Sequence, residues 1–117
     1  MKVILYVHVL LELGAGLTFV LAPQAFPGLE NTQGQSLHFL KAYGYAAIGM
    51  GALGIMALLR YYQEGTLPVA LFTLAVFHTG IAIAQVHAPL IPTMQIEPLI
   101  LHGTLGLVCW FYYWKEK

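Results

Sequence analysis

Charged side chains are scarce in this sequence. They make up 9% of the residues, five Lys and Arg against five Asp and Glu, whereas about a quarter of a typical soluble domain is charged. Because the two signs balance, the chain has no basic field that would attract nucleic acid. This composition excludes nucleic acid as a partner and places the chain outside the usual soluble class.

Cysteine and catalytic motifs are also nearly missing. Cys109 is the single cysteine, which excludes an intrachain disulfide and a multi-cysteine zinc site. The sequence contains no GxSxG motif, no phosphate-binding glycine loop and no HExxH or HxH pair, which are common signatures of nucleophilic, phosphoryl-transfer and metal chemistry. We therefore predict no catalytic residues and no metal site, and we expect a protein that is not an enzyme.

Apolar residues, by contrast, are abundant, at 59% of the chain. A helix needs about 20 predominantly apolar residues to cross the roughly 30 Å hydrocarbon layer of a bilayer. Four stretches meet this requirement, and together they predict a single transmembrane domain over residues 1–117, with helices at about residues 3–22, 37–59, 67–86 and 97–114.

Three short links join these predicted helices. They contain prolines, glycines and amides, which are typical of turns, and short links make neighbouring helices antiparallel. Backbone groups in lipid must be paired within the protein, so we predict an all-α, four-helix, up-down-up-down membrane bundle. Ser36 and Thr66 are the predicted N-caps of the second and third helices. The links are predicted at residues 23–35, 61–65 and 87–95.

The distribution of Lys and Arg predicts the orientation. Arg60, Lys2, Lys115 and Lys117 fall on one side of the predicted bundle, and Lys41 falls on the other. Positive residues concentrate on the cytoplasmic side, so we expect both ends of the chain in the cytoplasm and a multi-pass location in the bacterial inner membrane. An aromatic belt is predicted on the same side, formed by Tyr61, Tyr62, Trp110, Phe111, Tyr112, Tyr113 and Trp114.

The second predicted helix carries small residues on one face. Gly44, Ala47, Gly51 and Gly54 follow one another at spacings of three, four and three, which lets another backbone approach closely. This face predicts a helix contact, either within the chain or as an oligomer interface or lipid-binding groove.

Ionisable residues within hydrocarbon are costly and are therefore candidates for function. Glu12 lies near the middle of the first predicted helix, one turn from His8 and one turn from Gly16. Its carboxyl group must either hold a proton or have a cation or hydrogen-bond donor beside it. Both uses of Glu12 stay open at this point, as a neutral residue that joins helices or as a group that handles a proton or ligand.

Two further polar faces lie on the third and fourth predicted helices. His78 and Gln85 share one face, and His102 lies on a stripe with Gly106 and Cys109. We take His78, His102 and Gln85 as further candidates for ligand or proton handling. Haem b, bound between His78 and His102 as axial ligands, is an alternative cofactor.

Two families resemble this chain. A first helix followed by Pro23, Phe26 and Pro27, a second helix with KAYGYAAIGMGALG from Lys41, and a last helix opening at Glu97-Pro98 resemble the DoxX-like group of small four-helix membrane proteins. That resemblance covers most of the chain and implies the fold. The position of Glu12 is similar to that of the essential first-helix glutamate of small multidrug-resistance transporters, although the third helix, LFTLAVFHTGIAIAQ, lacks the tryptophan and glycine pattern of that family.

These observations lead to three functional expectations. The first is an accessory subunit of a membrane complex or a binder of an apolar ligand, lipid or quinone. The second is a small proton-coupled transporter that uses Glu12, and the third is a haem or metal redox module that uses His78 and His102. The expected partners are the lipid bilayer, other membrane subunits or further copies of the chain.

Overall fold

A computed structural model describes residues 1–87 and 96–117. In these residues the chain forms four α-helices, α1 (Lys2–Leu21), α2 (Gly34–Leu59), α3 (Thr66–His87) and α4 (Ile96–Glu116), together with one 3-10 turn at Pro23–Ala25. The predicted helical class is confirmed. The predicted link at residues 87–95 lies almost wholly outside the described residues.

Three of the described helices are long and apolar enough to cross a membrane, namely α1, α2 and α3. They contain 20, 26 and 22 residues, or about 30 to 39 Å at 1.5 Å per residue. The fourth helix, α4, has 21 residues and carries more polar groups, including Glu97, His102 and Lys115. Length alone therefore allows α4 to span as well.

The start of α2 differs from the prediction. We expected Ser36 to cap a helix beginning at residue 37, but α2 begins at Gly34, where φ is +59°. Glycine adopts this left-handed conformation without steric cost, and Ser36 lies within the first turn of the helix rather than before it. The α2–α3 turn likewise ends at a glycine of positive φ, Gly65 (+77°), directly before Thr66.

The chain divides into two compact units, Met1–Leu59 and Arg60–Lys117. The first contains α1 and α2, and the second contains α3 and α4. In the first unit, contacts run in opposite directions along the two helices, since Gly16 lies against Gly44 while His8 reaches Gly54. The second unit has the same antiparallel order, with Thr79 beside Gly106 and Phe72 beside Tyr113. Each unit is thus an antiparallel helical hairpin.

The loop between α1 and α2 folds back on its own hairpin. Phe26 packs against Phe19 with ring centroids 5.1 Å apart, and Leu29 is buried. The exposed carboxylate of Glu30 accepts hydrogen bonds from its own backbone N–H and from that of Gly28, and these bonds hold the pKa of Glu30 below its ordinary value. This loop is therefore ordered by local contacts.

Candidate functional site

The polar face of α1 is buried in the structure. His8, Glu12 and Gly16 follow at intervals of four residues, so they lie on one side of the helix, and the exposed fractions of the His8 and Glu12 side chains are 1% and 3%. Burial of two titratable groups among apolar neighbours is costly unless they are paired or neutral. The local contacts explain how this face is accommodated.

The small-residue face of α2 lies against α1. A Cβ added to Gly44 would stand 2.9 Å from the carbonyl oxygen of Gly16, and one added to Gly51 would stand 2.7 Å from Leu13 Cδ2. Ala47, between them, is fully buried. The face that the sequence offered for a helix contact is therefore occupied by α1 of the same chain, and the two backbones meet where both helices carry glycine.

One glycine of this face makes room for an imidazole. A Cβ on Gly54 would stand 2.9 Å from His8 Cδ2, so a larger residue would displace the ring. Gly54 follows Met50 by one turn, and the open position lets His8 Nε2 come within 3.0 Å of the Met50 carbonyl oxygen. A carbonyl can only accept a hydrogen bond, so Nε2 carries the hydrogen and donates it.

The Met50 contact determines which ring nitrogen of neutral His8 can accept a proton. With Nε2–H held by the carbonyl, neutral His8 has its lone pair at Nδ1. A ring nitrogen of His8 lies within 4.8 Å of a carboxyl oxygen of Glu12, and Tyr43 of α2 is close enough for the charge of Glu12 to act on its hydroxyl group. The first hairpin thus places a basic imidazole near one buried carboxyl group, and a phenol lies within range of the charge of that group.

A second buried imidazole pair lies in the α3–α4 hairpin. His78 Nδ1 and His102 Nδ1 are 2.9 Å apart, a hydrogen-bond distance, and the ring centroids are 5.1 Å apart with the planes tilted by 33°. The two side chains have exposed fractions of 0% and 9%. The sequence indicated that both residues face inward, but periodicity within a helix could not show that the rings bond to one another.

Contacts beyond the pair, toward the C-terminal end of α4, set the register of α3 against α4. A Cβ added to Gly106 would stand 3.1 Å from Thr79 Oγ1, so the helices approach closely there. Trp110 donates a hydrogen bond from Nε1 to Thr79 Oγ1 at 3.1 Å and packs edge-on against Phe72. Trp110 therefore belongs to the helix contact, whereas Trp114 of the predicted aromatic belt is exposed.

The haem b alternative stays a prediction, and it would require the His78–His102 contact to open. Metal–nitrogen bonds of about 2 Å place two axial nitrogens on opposite sides of an iron atom about 4 Å apart, with the macrocycle between the rings. His78 and His102 are in direct contact through Nδ1 at 2.9 Å. The rings would have to separate to admit the group, so the expected use of this pair as axial ligands is not supported by its arrangement.

The remaining candidate residues take no part in these two clusters. Gln85 is half-buried, and its Oε1 atom is shielded from solvent without a hydrogen-bond donor among the described residues. Cys109 is buried on α4, seven residues after His102. His38 and His87 are exposed.

Comparison with known proteins identified no relative of this chain. No family model matches the chain, and no curated protein and no solved structure matches it either. The DoxX-like relationship and the similarity to small multidrug-resistance transporters therefore stay predictions.

Proposed function

We propose that this chain is an integral membrane protein that exchanges a proton on Glu12 for a cationic solute, with His8 as the proton partner of the carboxyl group. The observation that supports this function best is the buried His8–Glu12 arrangement on α1. Three helices that are long and apolar enough to cross a membrane support the membrane setting. The second of the three sequence-based expectations, proton-coupled transport, is thus the one we carry forward.

The chemistry of the arrangement suits reversible proton binding. A carboxyl group in hydrocarbon is tolerated when it holds a proton or lies beside a cation. His8 is oriented by the Met50 carbonyl, so Nδ1 is the nitrogen that can accept a proton from Glu12. Moving that proton converts a neutral pair into an ion pair without changing the total charge. A cation that binds the carboxylate would then compete with the proton, which is the requirement for exchange.

The proposal also includes how the four helices and the two chain ends are placed in the membrane. We propose that α4 crosses the bilayer with α1, α2 and α3 as a four-helix bundle, with both ends of the chain in the cytoplasm of a bacterial cell. The Lys and Arg distribution supports this orientation. The accessory-subunit role and the binding of lipid or quinone stay predictions from composition, because no particular contact among residues 1–87 and 96–117 favours them.

Transport by purified protein in lipid vesicles tests the function. Vesicles with an acidic interior are diluted into a neutral buffer that contains radiolabelled tetraphenylphosphonium, a lipophilic cation. We expect uptake that depends on the pH gradient, falls to the level of empty vesicles in Glu12→Gln, and is reduced in His8→Ala.

Glu30→Gln is the matched control, because it removes a carboxyl group from an exposed loop position. It should transport like the original protein. Gradient-dependent uptake that survives Glu12→Gln, or the absence of gradient-dependent uptake by the original protein, would contradict the proposed function.

A further inference from the structure

The bond between His78 and His102 constrains the protons that the pair can hold. Hydrogen bonding between two Nδ1 atoms at 2.9 Å requires a hydrogen on one and a lone pair on the other. In the neutral pair, the donor ring therefore has its lone pair at Nε2, and the acceptor ring carries its hydrogen at Nε2. The two histidines must be opposite tautomers.

Buried apolar residues and one hydrogen bond between the helices lie close to the two histidines along α3 and α4. Leu74 and Ala75 on α3 lie within about one turn of His78, Leu105 on α4 lies within one turn of His102, and all three are buried. The Trp110–Thr79 bond joins α4 to the residue directly after His78. Among the described residues of α3 and α4, the other buried titratable side chain is Cys109, two turns along α4 from His102. Glu97 and Lys115 are exposed near the ends of α4.

We propose that His78 and His102 form a proton relay that carries one excess proton between α3 and α4. A proton binds at Nε2 of the donor ring and makes it an imidazolium. The bridging hydrogen then moves from one Nδ1 to the other, and the second ring releases the hydrogen on its own Nε2. The first step forms an N–H bond, the second breaks one and forms one at the bridge, and the third breaks one. One proton therefore enters as another leaves, and the tautomers of the two rings are exchanged at the end.

The same geometry limits the relay to one excess proton. With one proton added, the bridge is a charge-assisted N–H···N bond, which is stronger than the neutral one. A second added proton would place hydrogens on both Nδ1 atoms, so two donors and two positive charges would face each other at this distance. The rings would have to separate. The two histidines of the relay lie in the second hairpin, whereas the proposed proton exchange is assigned to Glu12 in the first.

Nitrogen NMR of the full chain in lipid nanodiscs tests the relay. The protein is labelled with ¹⁵N-histidine and with ¹³C-carbonyl phenylalanine, which marks His78 because it is the one histidine that follows a phenylalanine. We expect a through-bond coupling between a protonated Nδ1 and an unprotonated Nδ1, one of them in His78. On acidification, the pair should gain one proton and keep the coupling.

Three variants make the result specific. The coupling should vanish in His102→Gln and persist in His38→Gln, which changes an exposed histidine. It should also persist in Glu12→Gln, so that loss of transport and loss of the relay are separate outcomes. Absence of the coupling in the original protein, two rings of the same tautomer, or loss of the coupling on addition of the first proton would overturn the proposal. The coupling in the labelled original protein tests the proposal by itself, even if a variant does not fold.

Discussion

At the scale of single residues, the polar groups of both hairpins are fixed by neighbours that sequence periodicity does not reveal. His8 is oriented by a backbone carbonyl 42 positions away, and His78 is oriented by an imidazole 24 positions away. Helical spacing predicted which side chains are buried together on one face, as for His8 and Glu12. It could not predict these bonds, because they depend on the register between two helices.

The hydrogen bond between Trp110 and Thr79 gives a prediction about a single side chain. Thr79→Val removes the hydroxyl that accepts the indole N–H while it keeps the shape of the side chain. We expect a loss of about 1 kcal/mol of stability, since an unsatisfied donor in a helix contact loses its hydrogen bond. The measurement is the thermal unfolding midpoint of the purified protein in detergent.

Thr73→Val is the control for this change. The Thr73 hydroxyl donates to the Val69 carbonyl oxygen of its own helix and is exposed, so its removal should change the midpoint much less. Equal midpoints for the two variants would show that the Trp110 bond does not contribute to the α3–α4 contact.

At the scale of helices, close approach depends on glycines that face the neighbouring backbone. A Cβ on Gly16 would stand 2.8 Å from the carbonyl oxygen of Gly44, whereas one on Gly14 would have no atom within 4 Å. Both glycines lie in α1, two residues apart. Substitutions at these two glycines therefore separate the effect of the helix contact on stability from the effect of glycine on the stability of α1 itself.

We expect Gly16→Ala to lower the thermal midpoint and Gly14→Ala to leave it unchanged or raise it. The first change forces two backbones apart, and overpacking of this kind costs about 1 to 3 kcal/mol. The second replaces glycine by a better helix former. Thermal unfolding in detergent compares the two variants directly, and a midpoint for Gly16→Ala at or above that of Gly14→Ala would contradict the close contact.

The helices themselves were largely predictable from the sequence. Long apolar stretches and turn residues predicted α1 and α3 to within one residue at each end. The start of α2 was missed by three residues, because the cap signal at Ser36 placed it at residue 37 whereas the helix begins at Gly34. The small-residue face of α2 could be recognised from spacing, but its partner could not, since spacing does not distinguish α1 from a second chain.

At the scale of the whole molecule, the bundle and its orientation are predictions from composition and charge. If four helices cross the membrane with both ends inside, position 33 lies outside and position 63 lies in the cytoplasm. Single cysteines introduced at these positions, in a background where Cys109 is replaced by alanine, report the topology. An impermeant maleimide added to intact cells should label position 33 and spare position 63. Labelling of position 63 would reverse the orientation.

Reversible protonation of Glu12 within the α1–α2 hairpin is tested most directly by infrared spectroscopy of the protein in lipid at a series of pH values. We predict a carboxylic C=O band that shifts in D₂O, disappears and returns as the pH is raised and lowered, is absent from Glu12→Gln, and is present in Glu30→Gln. Replacement of His8 by alanine should change the pH range over which the band disappears. A spectrum without such a band at any pH, or with a Glu12 band that neither exchanges nor responds to pH, would contradict a proton-exchanging Glu12.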